Sequence, residues 1–342
     1  MKHIRCSGTA YEIGLKHGRT AKEEVRRSVG FYESLFQQNV GYSWPEVRDV
    51  ATKFLPFLQK SFPDYVNEMK GVAEGAGVMF DTILAMNART EIAYGIVNDG
   101  CTALAVRTQE HTFLGQNWDW KSGQSPNMLT LHIEQPGKPT IHMITEAGII
   151  GKIGLNSYGV GVTLNAVGAK GIHFGKIPCH LALRTVLNCT SREAAEKTLR
   201  KFGVASACHI TIADANTGAI GIECTAFDMV EIPMDANGVC AHSNHMIRSH
   251  EVEGISLVVD SQFRLQRIQE LIRNVGVLTL ESFACIFMDE ENYPGAINRA
   301  FSVNDPTGSE TLFSVAMDLN QGFGQVKTGR PTSDGEVFEL KP

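Results

Sequence analysis

The hydrophobic period of this chain changes at residue 101. Before it, "EIGLKHGRTAKEEVRRSVGFYESLF" and "WPEVRDVATKFLPFLQKSFPDYVNEMKGVAEG" space apolar residues three and four apart, so residues 1–96 read as helices with one buried face. "FDTILAMNARTEIAYG" reads as a third helix with Asp81 as its N-cap. From Cys101 the alternation is by twos, and "CTALAV", "TFLGQNWDW" and "MLTLHIEQ" read as successive antiparallel strands. A helical stretch over 179–202 breaks at Thr190-Ser191-Arg192-Glu193, a capping-box pattern, and is closed by Gly203. Strands resume in "HITIADA", "GAIGIECT", "DMVEIPM" and "GVCAHSNH". Helices return at about 260–275 and 279–288, before the last strands "TLFSVAMDL", "GQVKT" and "EVFEL". Helices grouped around two blocks of antiparallel strands imply an α+β chain with sheets inside and helices outside. No repeat or long linker divides the 342 residues, which read as one domain, 1–342.

Composition narrows the function. A net charge of −6 with scattered Lys and Arg gives no electrostatic footprint for nucleic acid or an anionic membrane, so a small-molecule partner is expected. Eight dispersed cysteines without a CxxC pair, and no signal peptide, point to buried thiols in a reducing, cytoplasmic setting. No uncharged apolar stretch reaches the ~18 residues of a spanning helix. A P-loop is absent, and "GKIGLNSYGVGV" lacks the GxGxxG spacing. The "HSNHMIRSH" histidines 242, 245 and 250 lack HExxH spacing and a cysteine pair, so neither a metal nor a cofactor is expected.

Gly100-Cys101, at the change of period, carries the chemistry. A thiol directly after a glycine can attack the preceding carbonyl to give a thioester that water hydrolyses, leaving a new chain that begins at Cys101. That chain holds a nucleophile and its own base, because an α-amine with a pKa of ~7.7–8.0 can take the thiol proton at neutral pH. No Ser-His-Asp or Cys-His constellation is then required.

"IGLKHG", "NARTEIAYG", "DGCTA", "LGQNWDW", "ITEAGIIGKIGLNSYGV", "HSNH", "ENYP" and "TLF", in this order over nearly the whole chain, closely resemble the acyl-coenzyme A:isopenicillin N acyltransferases. The resemblance implies the αββα four-layer sandwich of N-terminal-nucleophile hydrolases. It also implies autocleavage between Gly100 and Cys101 into a small chain, 1–100, and a large catalytic chain, 101–342. By the same resemblance Asp119 is the aspartate beside the Cys101 nucleophile, and Asn244 donates an amide N–H to the oxyanion. Asn165, by likeness to asparagines of related bile-salt and penicillin V hydrolases, and Thr225 and Thr307 are candidate oxyanion or substrate contacts. Trp118 and Trp120 read as core, and Arg89 as a structural ion pair. Acyl-coenzyme A is an implied co-substrate, and amides or β-lactams are implied substrates.

The chain also departs from that family. The penicillin-forming enzymes carry Ser-Arg shortly before "TLF", where this chain has Thr307 and Gly308, and no arginine lies between Arg299 and Arg330. Arg299 and Lys327 are the cations left to replace it. The family's threonine two residues after the nucleophile is Ala103 here, its "EFS" serine is Thr225, and the peroxisomal C-terminal signal is missing. The chain is therefore expected to pass an acyl group through a Cys101 thioester to an amine or water. The alternative is a hydrolase of small N-acyl amides, of the β-alanyl amine type, with little penicillin activity.

Overall fold

The computed structural model describes residues 1–93, 100–255, 258–304 and 308–342. Two sheets form its centre. An eight-stranded sheet runs in the order Lys2–Ser7, Met128–Glu134, Ile141–Glu146, Ile153–Asn156, Val160–Asn165, Cys208–Asp214, Gly218–Cys224, Met229–Pro233. A six-stranded sheet runs Val239–His242, Thr102–Arg107, Thr112–Trp120, Glu310–Asp318, Phe323–Thr328, Val337–Leu340. All pairings are antiparallel except the first, Lys2–Ser7 on Met128–Glu134.

The sheets pack face to face, and helices cover both outer faces. Ala10–Thr20, Cys179–Leu187 and Arg192–Phe202 lie on the eight-stranded sheet, while Ser261–Arg273 and Leu280–Ile286 lie on the six-stranded one. Phe113, Leu104 and Val106 meet Ile268, Phe283 and Phe287 in the second of these layers. This is the αββα sandwich. Between the sheets, the Gln116 side chain donates to the Leu164 carbonyl and accepts from the Leu164 N–H at 3.1 Å, a polar tie beside the end of the Val160–Asn165 strand. Among the described residues no helix is long and apolar enough to cross a membrane.

The N-terminal layer owes its geometry to two glycine pairs four residues apart. A Cβ on Gly14 would lie 1.9 Å from the Glu68 carbonyl oxygen, and one on Gly71 would lie 2.2 Å from that of Tyr11. Gly18 and Gly75 repeat the pattern one turn on, so Ala10–Thr20 and Pro63–Ala76 touch backbone to backbone. The "IGLKHG" motif is thus a helix-packing signal.

Three local expectations change. Residues 2–7 form a strand with Ile4 and Cys6 turned inward, too short for its period to stand out from the helices that follow. Asp81 caps nothing: Met79 is the N-cap, and Asp81 pairs with Arg48 at 3.6 Å. Ser191 caps Arg192–Phe202 by accepting from Ala194 N at 3.1 Å, which puts Ala194 at the position where a reciprocal capping box needs a polar side chain. Gly203 does end that helix, at φ 68°.

Candidate active site

Cys101 is fully buried at the entry to the strand Thr102–Arg107, with its carbonyl oxygen held from two sides. Arg264 Nη1 donates to it at 2.8 Å and Asn165 Nδ2 at 3.2 Å. Asn165 spends its other amide hydrogen on the His242 carbonyl at 3.3 Å, so it ties the start of the Thr102–Arg107 strand to its neighbour. It meets the site as a clamp on Cys101.

Gly100 needs to be glycine, since a Cβ there would lie 2.4 Å from Arg299 Nε. Thr102 pairs with Asn117 on the adjacent strand, and Asp119 follows two residues along that strand. Asp119 is fully buried, and its Oδ1 accepts from Thr311 Oγ1 at 2.7 Å. Oδ2 lies 3.5 Å from Arg299 Nε and accepts no hydrogen bond among the described residues. Burial pushes its pKa up to about 7, against the pull of the Arg299 and Arg264 guanidiniums.

Two buried arginines and two aspartates form one chain of charge. Arg299 Nη2 reaches Asp260 Oδ1 at 2.6 Å, and Arg264 Nε reaches the same oxygen at 2.8 Å. Asp260 thus bridges the two buried arginines, and Arg299 links that pair to Asp119.

Asn244 closes the other side. Its backbone N–H donates to Ser261 Oγ at 2.7 Å, Oδ1 accepts from Arg264 Nη2 at 2.8 Å, and Nδ2 donates to the Ala166 carbonyl at 3.0 Å. An amide nitrogen carries two hydrogens, so one remains for a ligand. The loop bearing Asn244 is fastened by Glu223, whose carboxylate accepts from His242 Nε2, His250 Nε2 and the backbone N–H groups of Ile247 and Arg248 at 2.7–3.0 Å. The "HSNHMIRSH" histidines 242 and 250 serve that fastening.

Cys101, Asp119, Asn165 and Asn244 therefore come together. Thr225 does not join them: its hydroxyl donates to Asp228 Oδ1 at 2.5 Å and accepts from the N–H groups of Phe227 and Asp228, so it shapes its own turn. Thr307 lies outside the described residues. Beside it, at Gly308, the structure supplies a cation that the sequence reading did not consider. Lys121 Nζ lies 3.2 Å from the point where a Gly308 Cβ would be. Arg299 binds Asp260 and Lys327 donates to the Gly335 carbonyl at 3.0 Å.

Under the site, Trp118 and Trp120 are buried and stacked, with centroids 5.9 Å apart. Arg89 pairs with Glu146 at 3.1 Å and lies over Trp120, as a structural ion pair. Lys152, which the sequence reading passed over, is fully buried, 2.7 Å from Glu146 and 3.7 Å from the Trp118 centroid. Burial would raise the Glu146 carboxyl, but Arg89 and Lys152 hold it below the usual carboxylate range. Burial, with the Arg89 guanidinium, lowers the Lys152 ammonium to about 8 against the pull of the Glu146 carboxylate.

Residues 106–333 match the family model described as acyl-coenzyme A:6-aminopenicillanic acid acyl-transferase. The chain is 37% identical to the Emericella nidulans acyl-coenzyme A:6-aminopenicillanic-acid-acyltransferase 40 kDa form, with 99% of this chain and 96% of that protein aligned. It is 26% identical to the beta-alanyl-dopamine/carcinine hydrolase of Drosophila melanogaster over 59% of this chain and 58% of that one. A variant of the conjugated bile acid hydrolase from Clostridium perfringens superposes with a TM-score of 0.51 at 16% identity, over 70% of this chain and 92% of that one, a likeness of fold.

Proposed function

The chain belongs to the acyl-coenzyme A:6-aminopenicillanic acid acyl-transferase family and is an enzyme acting on acyl and amide bonds; on that premise we propose that it activates itself by cleavage between Gly100 and Cys101 and then works through a Cys101 thioester. In the first step Cys101 Sγ attacks the Gly100 carbonyl, the peptide C–N bond breaks, and the nitrogen leaves as the Cys101 α-amine. Water then cleaves the resulting thioester, leaving Gly100 as a carboxylate and the thiol free.

In turnover the α-amine takes the thiol proton, and Sγ attacks the acyl carbon of an amide or an acyl-coenzyme A. Asn244 donates to the oxyanion. The leaving amine or thiol receives the proton, and the acyl group stays on Sγ until an amine or water attacks it. Charge that develops only in the tetrahedral intermediate is where a fixed donor lowers the barrier most. The observation that carries this reading is Asp119 Oδ2, a buried carboxylate oxygen 3.5 Å from the Arg299 Nε that packs against Gly100, which accepts no hydrogen bond among the described residues.

The acceptor is an amine of a β-lactam nucleus or of a smaller compound. The similarity to a beta-alanyl-dopamine/carcinine hydrolase supports the second reading, hydrolysis of small N-acyl amides. One experiment addresses both. The processed protein is mixed with acyl-coenzyme A or with N-acyl amines, quenched within one turnover, and digested for mass analysis. An acyl group on the Cys101 peptide is expected. Turnover with the acyl group on another residue, or on none, would contradict the mechanism, and product formed with and without 6-aminopenicillanic acid separates transfer from hydrolysis.

A further inference from the structure

The Arg264 guanidinium touches both halves of the site, and the mechanism above gives it no task. It is fully buried and has three kinds of partner at 2.8 Å: Asp260 through Nε, Cys101 O and Thr102 Oγ1 through Nη1, and Asn244 Oδ1 through Nη2. We propose that Arg264 is the positioning residue that sets the Asn244 amide against Cys101, a reading that rests on Cys101 and Asn244 acting as proposed above.

The argument is one of donors and acceptors. The ends of an asparagine amide are nearly the same in shape and opposite in hydrogen-bonding sense. A guanidinium can only donate, so Arg264 Nη2 selects Oδ1 and turns Nδ2 away toward the Ala166 carbonyl and the reacting carbonyl. The same rigid, planar group grips the nucleophile's own carbonyl, so the donor and the attacking sulfur share one support. Asp260 holds Nε and is itself held by Arg299, which lies beside Asp119, so the support reaches the third member of the site. Lysine keeps the charge but has no planar fork to span Cys101, Asn244 and Asp260 together.

Arg264→Lys tests this on the full chain, with intact mass reporting how much protein is processed and a melting curve reporting the fold. In the processed protein kcat is expected to fall by ~10²-fold with KM little changed, because the misplaced donor acts on the transition state. In an Asn244→Ala background the same change is expected to cost under about threefold, since residues that act as a unit are non-additive. A folded Arg264→Lys that remains uncut supports the proposal equally, because the Cys101 carbonyl is then too loosely held for the first attack. Should Arg264→Lys not fold, Thr102→Val removes one acceptor of Nη1 while keeping a β-branched strand residue, and a smaller loss of kcat with the same non-additivity is expected. Unchanged kcat, or an equal loss with and without Asn244, would overturn the proposal. Acyl–Cys101 trapped in wild type keeps that failure distinct from failure of the thioester mechanism itself.

Discussion

Arg299 lies directly against Gly100, with Nε 2.4 Å from the point a Cβ would occupy, and the same guanidinium binds Asp260 and lies 3.5 Å from Asp119. The glycine before Cys101 thus makes room for a side chain that reaches both aspartates. Gly100→Ala is expected to push Arg299 off both aspartates and to slow self-cleavage by on the order of 10²-fold, the cost of about an ångström of misplacement. A time course of the uncut fraction on denaturing gels measures it. Wild-type processing would show that the contact has no part in the reaction.

Asp119 gives the uncut chain a pH dependence with a definite sign. Its folded carboxyl is raised by burial from 3.8 to about 7, so it holds a proton that the unfolded chain has already released. Its contribution to stability is fully present below the unfolded value and is lost as pH rises through the folded one. In the uncut Cys101→Ala protein, Asp119→Asn is therefore expected to gain melting temperature relative to Asp119 as pH goes from 4 to 7. A constant difference over that range would contradict the assignment.

Asn244→Ala should lower kcat by ~10²–10³-fold while moving KM much less, because an oxyanion donor is used in the transition state. The measurement belongs on protein confirmed as processed by mass, since the same donor can serve the first cleavage. Near-normal turnover of processed Asn244→Ala would remove it from the mechanism.

Lys121 Nζ, 3.2 Å from the Cβ position of Gly308, is a cation besides Arg299 and Lys327 near the place of the family's arginine. A charge-assisted hydrogen bond to a carboxylate is worth about 1.5–3 kcal/mol, so Lys121→Met should raise KM about 10–100-fold for acceptors bearing a carboxylate and leave neutral N-acyl amines near wild type. Gly308→Arg, by contrast, should not help. Gly308 has φ 55°, a conformation costly for a side chain, and the new cation would meet the Lys121 ammonium. Equal effects on charged and neutral substrates would show that Lys121 faces elsewhere.

Local pattern made the layers legible. The change of period at Cys101 separates a helical segment from the sheet whose strand Thr102–Arg107 follows that cysteine, and "TFLGQNWDW" became the strand holding Asp119 near its end. The supports of the site were hidden because they are long-range. Arg264 meets Cys101 across 163 residues and Thr311 meets Asp119 across 192. A buried lysine or arginine looks in sequence like any solvated one until its carboxylate is located, which is why Lys152 beside Glu146 drew no notice. The first strand was missed for a similar reason, since its pairing partner begins at Met128.

The central claim, that this enzyme makes its own nucleophile, is tested most directly by sequencing purified protein from its N-termini and weighing its chains. Two chains are expected, residues 1–100 and a larger one beginning Cys-Thr-Ala-Leu, while Cys101→Ala remains a single chain. A wild-type protein that stays whole and still turns over acyl substrates would contradict it.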